Sequence, residues 1–481
     1  MLFNSLNFAI FLPIVFILYW FVTNKKLQTQ NILLLAASYF FYSCWDWRFL
    51  FLLLFSTGLD YFTGLKMADA SDKAKRKFWF WLSIIINLGF LGIFKYYNFF
   101  VGSFAEAMAN FGWKVNYATL NIILPVGISF YTFHGLSYVI DIYNDRIKPV
   151  RNFIDYSVFV SFFPLLVAGP IERATHLLPQ IQKPRIFNYG FAVQGLRQIL
   201  WGLFKKMVIA DNCAQYADMI FNDSGQYNSS TLVLGALFFT IQIYCDFSGY
   251  SDIALGTAKL FGIELLRNFA YPYFSRDIAE FWRRWHISLS SWFRDYLYYP
   301  LGGSRGSKWM SIRNTFIIFL VSGFWHGANW TFLAWGFLNA LYFLPLLILG
   351  KNRNNLDIIA QGKLFPSITE IVNVAITFTL TVFAWIFFRA TSIHEALSYI
   401  SGIFTTSIFK KPEIPTAGMV VLGLSGFFFL IEWLGREHQF ALSHFGSKWP
   451  RLIRWSFYAT IILLIGIFMQ TNETPFIYFQ F

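Results

Sequence analysis

Long uncharged apolar runs recur from one end of this chain to the other, and no other feature restricts its fold as strongly. A stretch of about 20 such residues crosses a bilayer once as a helix, since hydrocarbon leaves backbone groups no partner outside the segment. Only 13% of the 481 residues are charged and 60 are phenylalanine, whereas soluble domains carry about 25% charged residues. Transmembrane barrels are built from alternating segments of about ten residues, and this chain does not show them. The expected class is an all-α, polytopic integral membrane protein.

The net charge of +13 does not point to nucleic acid, because the basic residues cluster between apolar runs. The clusters are Lys25 and Lys26; Lys73, Lys75, Arg76 and Lys77; Arg146, Lys148 and Arg151; Lys410 and Lys411; Lys448, Arg451 and Arg454. Cytoplasmic loops hold Lys and Arg in this way, in water or against lipid headgroups. Cys44, Cys213 and Cys245 lie scattered in apolar or aromatic contexts, without metal or disulfide spacing. The first basic residues follow the first apolar run, so no cleavable signal pattern is present. The first helix, near 6–23, is expected to be retained with its N-terminus outside.

Apolar runs at 31–43 and 48–65, broken at CWDWR, predict a tight helical hairpin. Others fill 78–94 and 120–140, the latter kinked or broken around Pro125 and Gly127. Residues 96–112 are amphipathic and aromatic and are expected along the membrane surface. From 153 to 310 the pattern weakens: FVSFFPLLVAGPIE contains Pro164, Gly169 and Pro170 and reads as a re-entrant segment. Runs at 190–209 and 231–248 predict helices, and YCDFSGYSDIALG places Asp246 and Asp252 at bilayer depth, where carboxylates face protein or water. Beyond 312, runs at 314–332, 333–349, 370–388, 416–434 and 455–470 are clear. The total is about eleven to thirteen helices, with no linker or repeat, and the expectation is one domain over 1–481.

The segment EFWRRWHISLSSWFRDYLYYPLGG, 280–303, differs from the spans. At helical periodicity Phe281, Trp282, Trp285, Leu289, Trp292 and Phe293 share one face, and Arg283, Arg284, Ser288, Ser291 and Arg294 the other. That pattern predicts a helix lying in the membrane interface. On periodicity alone the arginines read as interfacial anchors; the alternative is that Arg283 and Arg284 attract the phosphates of an anionic donor. His286 falls on the apolar side, and both a backbone-bonded interfacial role and a functional one stay open.

Of seven histidines, His176, His394, His438 and His444 sit in polar surroundings and read as loop residues. His134, in SFYTFHGLSY, reads as structural. His326 is different. It lies in FIIFLVSGFWHGANWTFLAWG, 316–336, which has no charged residue, with Gly323 and Gly327 removing bulk beside the ring. Small residues there suit close helix packing or a ligand, and an ionisable group at that depth is a functional-site candidate. Burial favours the neutral imidazole, a competent general base.

FWRRWHISLSSWFRDYLYYPLGG followed by GFWHGANWTFLAWG resembles the membrane-bound O-acyltransferases (MBOAT), and LPVGISFYTF, AGPIER, YCDFSGYSDIALG and TPFIYFQF are similar to the bacterial branch that contains the alginate O-acetylation protein (AlgI). The ordered set is specific and covers essentially the whole chain. The resemblance implies a ring of helices around a central funnel in the bacterial inner membrane. It implies that His326 is the catalytic residue and that His286 is the second, nearer the cytoplasmic mouth. The implied donor is cytoplasmic acetyl-CoA, and no bound cofactor or metal is implied. The last apolar run follows Lys448, Arg451 and Arg454 and nothing basic comes after it, so 471–481 is expected outside. The resemblance implies that Tyr478 in this tail, with Phe476 and Phe481 as anchors, relays the acyl group to an extracytoplasmic SGNH-type transferase; the alternative is an interfacial aromatic. D-alanyl transfer to teichoic acid is the competing chemistry within the family. A polysaccharide or lipid transporter is the competing reading outside it.

Overall fold

Every regular element among the described residues is helical, as a solvent without hydrogen-bonding groups demands. The computed structural model describes residues 1–116, 118–120, 123–166, 169–470 and 476–477. Among them, seven helices are long and apolar enough to cross a membrane: Arg48–Ala68, Lys73–Asn110, Ser229–Leu260, Trp330–Ile348, Ile368–Arg389, Thr416–Gly435 and Arg451–Phe468. The chain packs as two compact units, Met1–Tyr189 with Ala258–Leu265, and Gly190–Thr257 with Leu266–Phe481.

In the first unit the expected hairpin forms from Leu27–Ser43 and Arg48–Ala68, and an Asp46–Arg48 ion pair closes its turn. Asp60 lies fully buried on the second of these helices, where its carboxylate accepts from Ser83 Oγ at 2.6 Å and Asn87 Nδ2 at 2.7 Å. The break expected near Pro125 and Gly127 falls at Gly127, whose φ of 76° precedes the helix Ile128–Tyr143. His134, buried on that helix, accepts the backbone N–H of Glu172 at 3.1 Å, and the Glu172 carboxylate holds His176 Nδ1 at 2.8 Å. One expectation is corrected. Residues 97–110 do not lie apart on the surface but continue the helix Lys73–Leu91 through a π-helical turn at Gly92–Tyr96. A 3.6-residue apolar period is the same for a crossing helix and a flat one, so periodicity alone cannot separate them.

The second unit contains residues 229–257 of the 32-residue helix Ser229–Leu260, a stretch that carries both bilayer-depth aspartates. The carboxylates are paired as their burial requires: Asp246 with Lys206 at 2.8 Å and Asp252 with Lys205 at 2.5 Å. Lys308–His326 and Trp330–Ile348 form a second hairpin, capped by the Ser307 and Asn329 side chains at their N-termini. Two glycines let these helices touch backbone to backbone. A Cβ at Gly323 would lie 2.2 Å from the Phe332 carbonyl oxygen, and one at Gly336 would lie 2.3 Å from that of Phe319.

The continuous flat helix expected over 280–303 is also corrected. Ile278–Arg284 ends, Trp285 is extended, and His286 takes a left-handed conformation (φ 43°, ψ 54°) before Ile287–Phe293 begins. The break is held by backbone bonds to an adjacent strand-like stretch: Ala270 N–H to the Arg284 carbonyl and Ile287 N–H to the Asn268 carbonyl, each 2.9 Å. Positive φ is uncommon outside glycine, with His among the residues that tolerate it better. A single residue in this conformation redirects everything after it, and helical periodicity does not register it.

Candidate active site

The hairpin turn places His326 as the last residue of Lys308–His326, with its ring inside an aromatic cage. The ring is 3% exposed and meets Trp325, Trp335 and Phe388 edge to face, at centroid distances of 4.9, 5.2 and 5.3 Å. Gly327 keeps the turn tight: a Cβ there would fall 2.1 Å from the Phe332 ring. Asn329, one turn on, spends its side chain as the cap of Trp330–Ile348, accepting from Thr331 N–H at 3.0 Å.

His286 reaches the same place from the broken segment. Its ring, 1% exposed, stands edge-on to Phe247 at 4.6 Å and lies 6.0 Å from Trp325. The two histidines therefore flank one indole although 40 residues separate them in sequence. Burial lowers the His286 imidazole below its ordinary pKa and so favours its uncharged form.

A cavity of about 430 Å³ is lined from the helices that begin after His286 and end at His326, though by neither histidine itself. Its polar lining includes Ser290 and Ser322, each four residues from one of the histidines on a helix, and Arg294 and Arg353. Its walls include Trp282, Phe293, Phe319 and Phe343. An apolar channel with two guanidinium groups suits a ligand with an uncharged arm and an anionic head.

Arg283 and Arg284 lie elsewhere. Arg283 donates to the carbonyls of Asn352 and Asn355 at 2.8 and 2.7 Å, and Arg284 donates to Glu280 at 2.6 Å and to the Asp357 carbonyl at 3.0 Å. They border a second cavity of about 440 Å³ with Arg267 and Arg436. Their side chains tie the 352–357 loop to the segment that ends at His286.

Tyr478 and Phe481 fall outside the described residues. The two residues before Tyr478 are in the site. Phe476 and Ile477 are 0% and 1% exposed, with the Phe476 ring 4.6 Å from Tyr250 and 5.7 Å from Phe247, the ring that faces His286. The Ile477 N–H donates to Asp246 at 2.7 Å. Sequence reasoning did not identify Arg353, Ser322, Trp335 or Phe388 as site residues. Arg294 was visible as a polar-face residue, but nothing local showed that it lines one cavity with Arg353.

The geometry can be set beside known proteins. The model of the MBOAT, membrane-bound O-acyltransferase family, matches residues 145–356. The chain is 36% identical to "Probable alginate O-acetylase AlgI" of Pseudomonas putida, over all of both chains. It is 37% identical to "Peptidoglycan O-acetyltransferase" of Helicobacter pylori, over 84% of this chain and 80% of that one. To "Teichoic acid D-alanyltransferase" of Bacillus subtilis it is 27% identical, over 57% of this chain and 71% of that one.

Proposed function

This chain belongs to the membrane-bound O-acyltransferase family, and from that premise we propose that it carries an acetyl group from cytoplasmic acetyl-CoA across the bacterial inner membrane, for O-acetylation of an extracytoplasmic polysaccharide. It is a multi-pass membrane acyltransferase; donor, direction and residue roles are the proposal. The observation that carries it is the meeting of His326, His286 and the residues preceding Tyr478 around Trp325 and Phe247. The coverage of the acetyl-transferring relatives supports acetyl over D-alanyl as the group moved.

In this reading the neutral His326 imidazole takes the Tyr478 phenol proton as the oxygen attacks the thioester carbonyl. A phenol of pKa near 10 needs such a base. The C–S bond breaks, the coenzyme leaves as its thiol after taking up that proton, and an acetyl-tyrosine ester remains. His286 positions the donor at the inner mouth. A hydroxyl of an extracytoplasmic SGNH-type transferase then attacks the ester carbonyl, and Tyr478 regains its proton as the phenol. Incubation of the purified protein with radiolabelled acetyl-CoA tests this. Label is expected to stay on the wild-type chain and to be lost in Tyr478→Phe. Polymer flux without acyl transfer would instead make the protein a transporter.

The donor is proposed to lie in the cavity that reaches Ser290 and Ser322, with Arg294 and Arg353 on its phosphates. Replacing both arginines by alanine is expected to raise the KM for acetyl-CoA about 10-fold while kcat stays within about 2-fold, the signature of lost ground-state binding. A larger KM rise in Arg283→Ala than in the Arg294/Arg353 pair would move the donor to the other cavity.

A further inference from the structure

The helix Ser229–Leu260 presents Asp246, Phe247 and Tyr250 on neighbouring positions of one face, because residues four apart on a helix adjoin. This face holds a polar arrangement that the acyl-transfer scheme leaves unused. Lys206 Nζ lies 2.7 Å from Asp211 and 2.8 Å from Asp246, and 5.3 Å from the Tyr250 ring centroid. All three ionic groups are at most 5% exposed. One ammonium thus faces two carboxylates, and buried carboxylate oxygens call for N–H donors. The Ile477 backbone N–H is such a donor, on Asp246 Oδ2 at 2.7 Å. The same cluster holds the tail at its beginning. Asn212, next to Asp211, donates to the Phe468 carbonyl at 3.0 Å and accepts from the Gln470 side chain at 2.8 Å.

We infer that Asp246, held by Lys206 and Asp211, is a positioning residue that anchors the C-terminal segment of this chain. The ammonium fixes one carboxylate oxygen and so aims the other at the Ile477 amide. Phe476 drops between Phe247 and Tyr250 and sets the lateral position. The segment is clamped on either side of 471–475, by Asn212 at Phe468 and Gln470 and by Asp246 at Ile477. The residue that follows is Tyr478, so the anchor fixes the register in which the tail meets the site. This consequence rests on the relay role proposed for Tyr478; the anchoring does not.

The test uses the full-length protein in detergent. In Asp246→Ala, hydrogen–deuterium exchange of the C-terminal peptic peptide is expected to speed up at least about 10-fold, since a protected amide has lost its acceptor. The kcat for acyl transfer is expected to fall about 10–100-fold with the KM for acetyl-CoA within about 2-fold, as for a misplaced reactant. Asp246→Ala leaves Lys206 facing Asp211 alone, so Ile477→Pro serves as a second variant: it deletes the N–H and spares the ion pair. Its kcat loss is expected to match, and the double variant to be no worse than either. Unchanged exchange in Asp246→Ala overturns the anchor. Faster exchange with undiminished transfer overturns the positioning role. Full activity in Tyr478→Phe would fell the relay alone and leave the exchange result to decide the anchor.

Discussion

His326→Gln is expected to lower acyl transfer about 10²–10⁴-fold, the range for losing a positioned general acid–base group. Glutamine approximates the imidazole in length and keeps a polar end in the cage, but it cannot take a proton near neutral pH. The ring is fixed by three aromatic neighbours, Trp325 on its own helix and Trp335 and Phe388 on two others, so little rearrangement can bring a substitute base to its place. Labelled acetyl transfer in purified protein measures the effect, alongside size-exclusion elution and thermal unfolding. Activity above about a tenth of wild type, in a chain that elutes and unfolds normally, would remove His326 from the chemistry.

Gly323→Ala is the second large effect, and it works through packing. The added methyl carbon would lie 2.2 Å from the Phe332 carbonyl oxygen and 3.1 Å from its carbonyl carbon, which are backbone atoms that cannot rotate away. The hairpin must open or slide. His326 is three residues on, along the same face of the same helix. A displacement near 1 Å at a reacting group costs about 100-fold, so activity is expected to fall by that order. Overpacking itself is expected to cost about 1–3 kcal/mol of stability. Gly426→Ala is the control: it also lies inside an apolar helix, but nothing stands within 4 Å of its Cβ position. If the two variants behave alike, close approach of the hairpin does not set the position of His326.

Much of this arrangement was legible before the structure. The hairpin at 27–68 follows from two apolar runs and the break between them, whereas the runs read as 314–332 and 333–349 gave two helices but not the turn at 327–329 that pairs them. The glycines beside His326 were readable as room for close packing or a ligand, and Asp246 and Asp252 as carboxylates that face protein or water. The partners themselves were not readable. Lys206 and Asp246 are 40 residues apart, and the π-helical turn Phe204–Ala210 that carries Lys205 and Lys206 leaves no periodic signature. His286 was readable as lying on the apolar side of its segment, but not as the residue at which the helix breaks.

The solvent, the helical class and the identity of the polar groups buried in it were determined by the sequence by itself, since those depend on composition and on the spacing of apolar and charged residues along one dimension. The meeting of His286 with Trp325, the engagement of Arg283 and Arg284 by a loop, and the seat of Ile477 on Asp246 were decided only by the tertiary structure. These contacts join residues about 40 to 230 apart, and their geometry is set by helix crossings and single-residue breaks that periodicity does not encode.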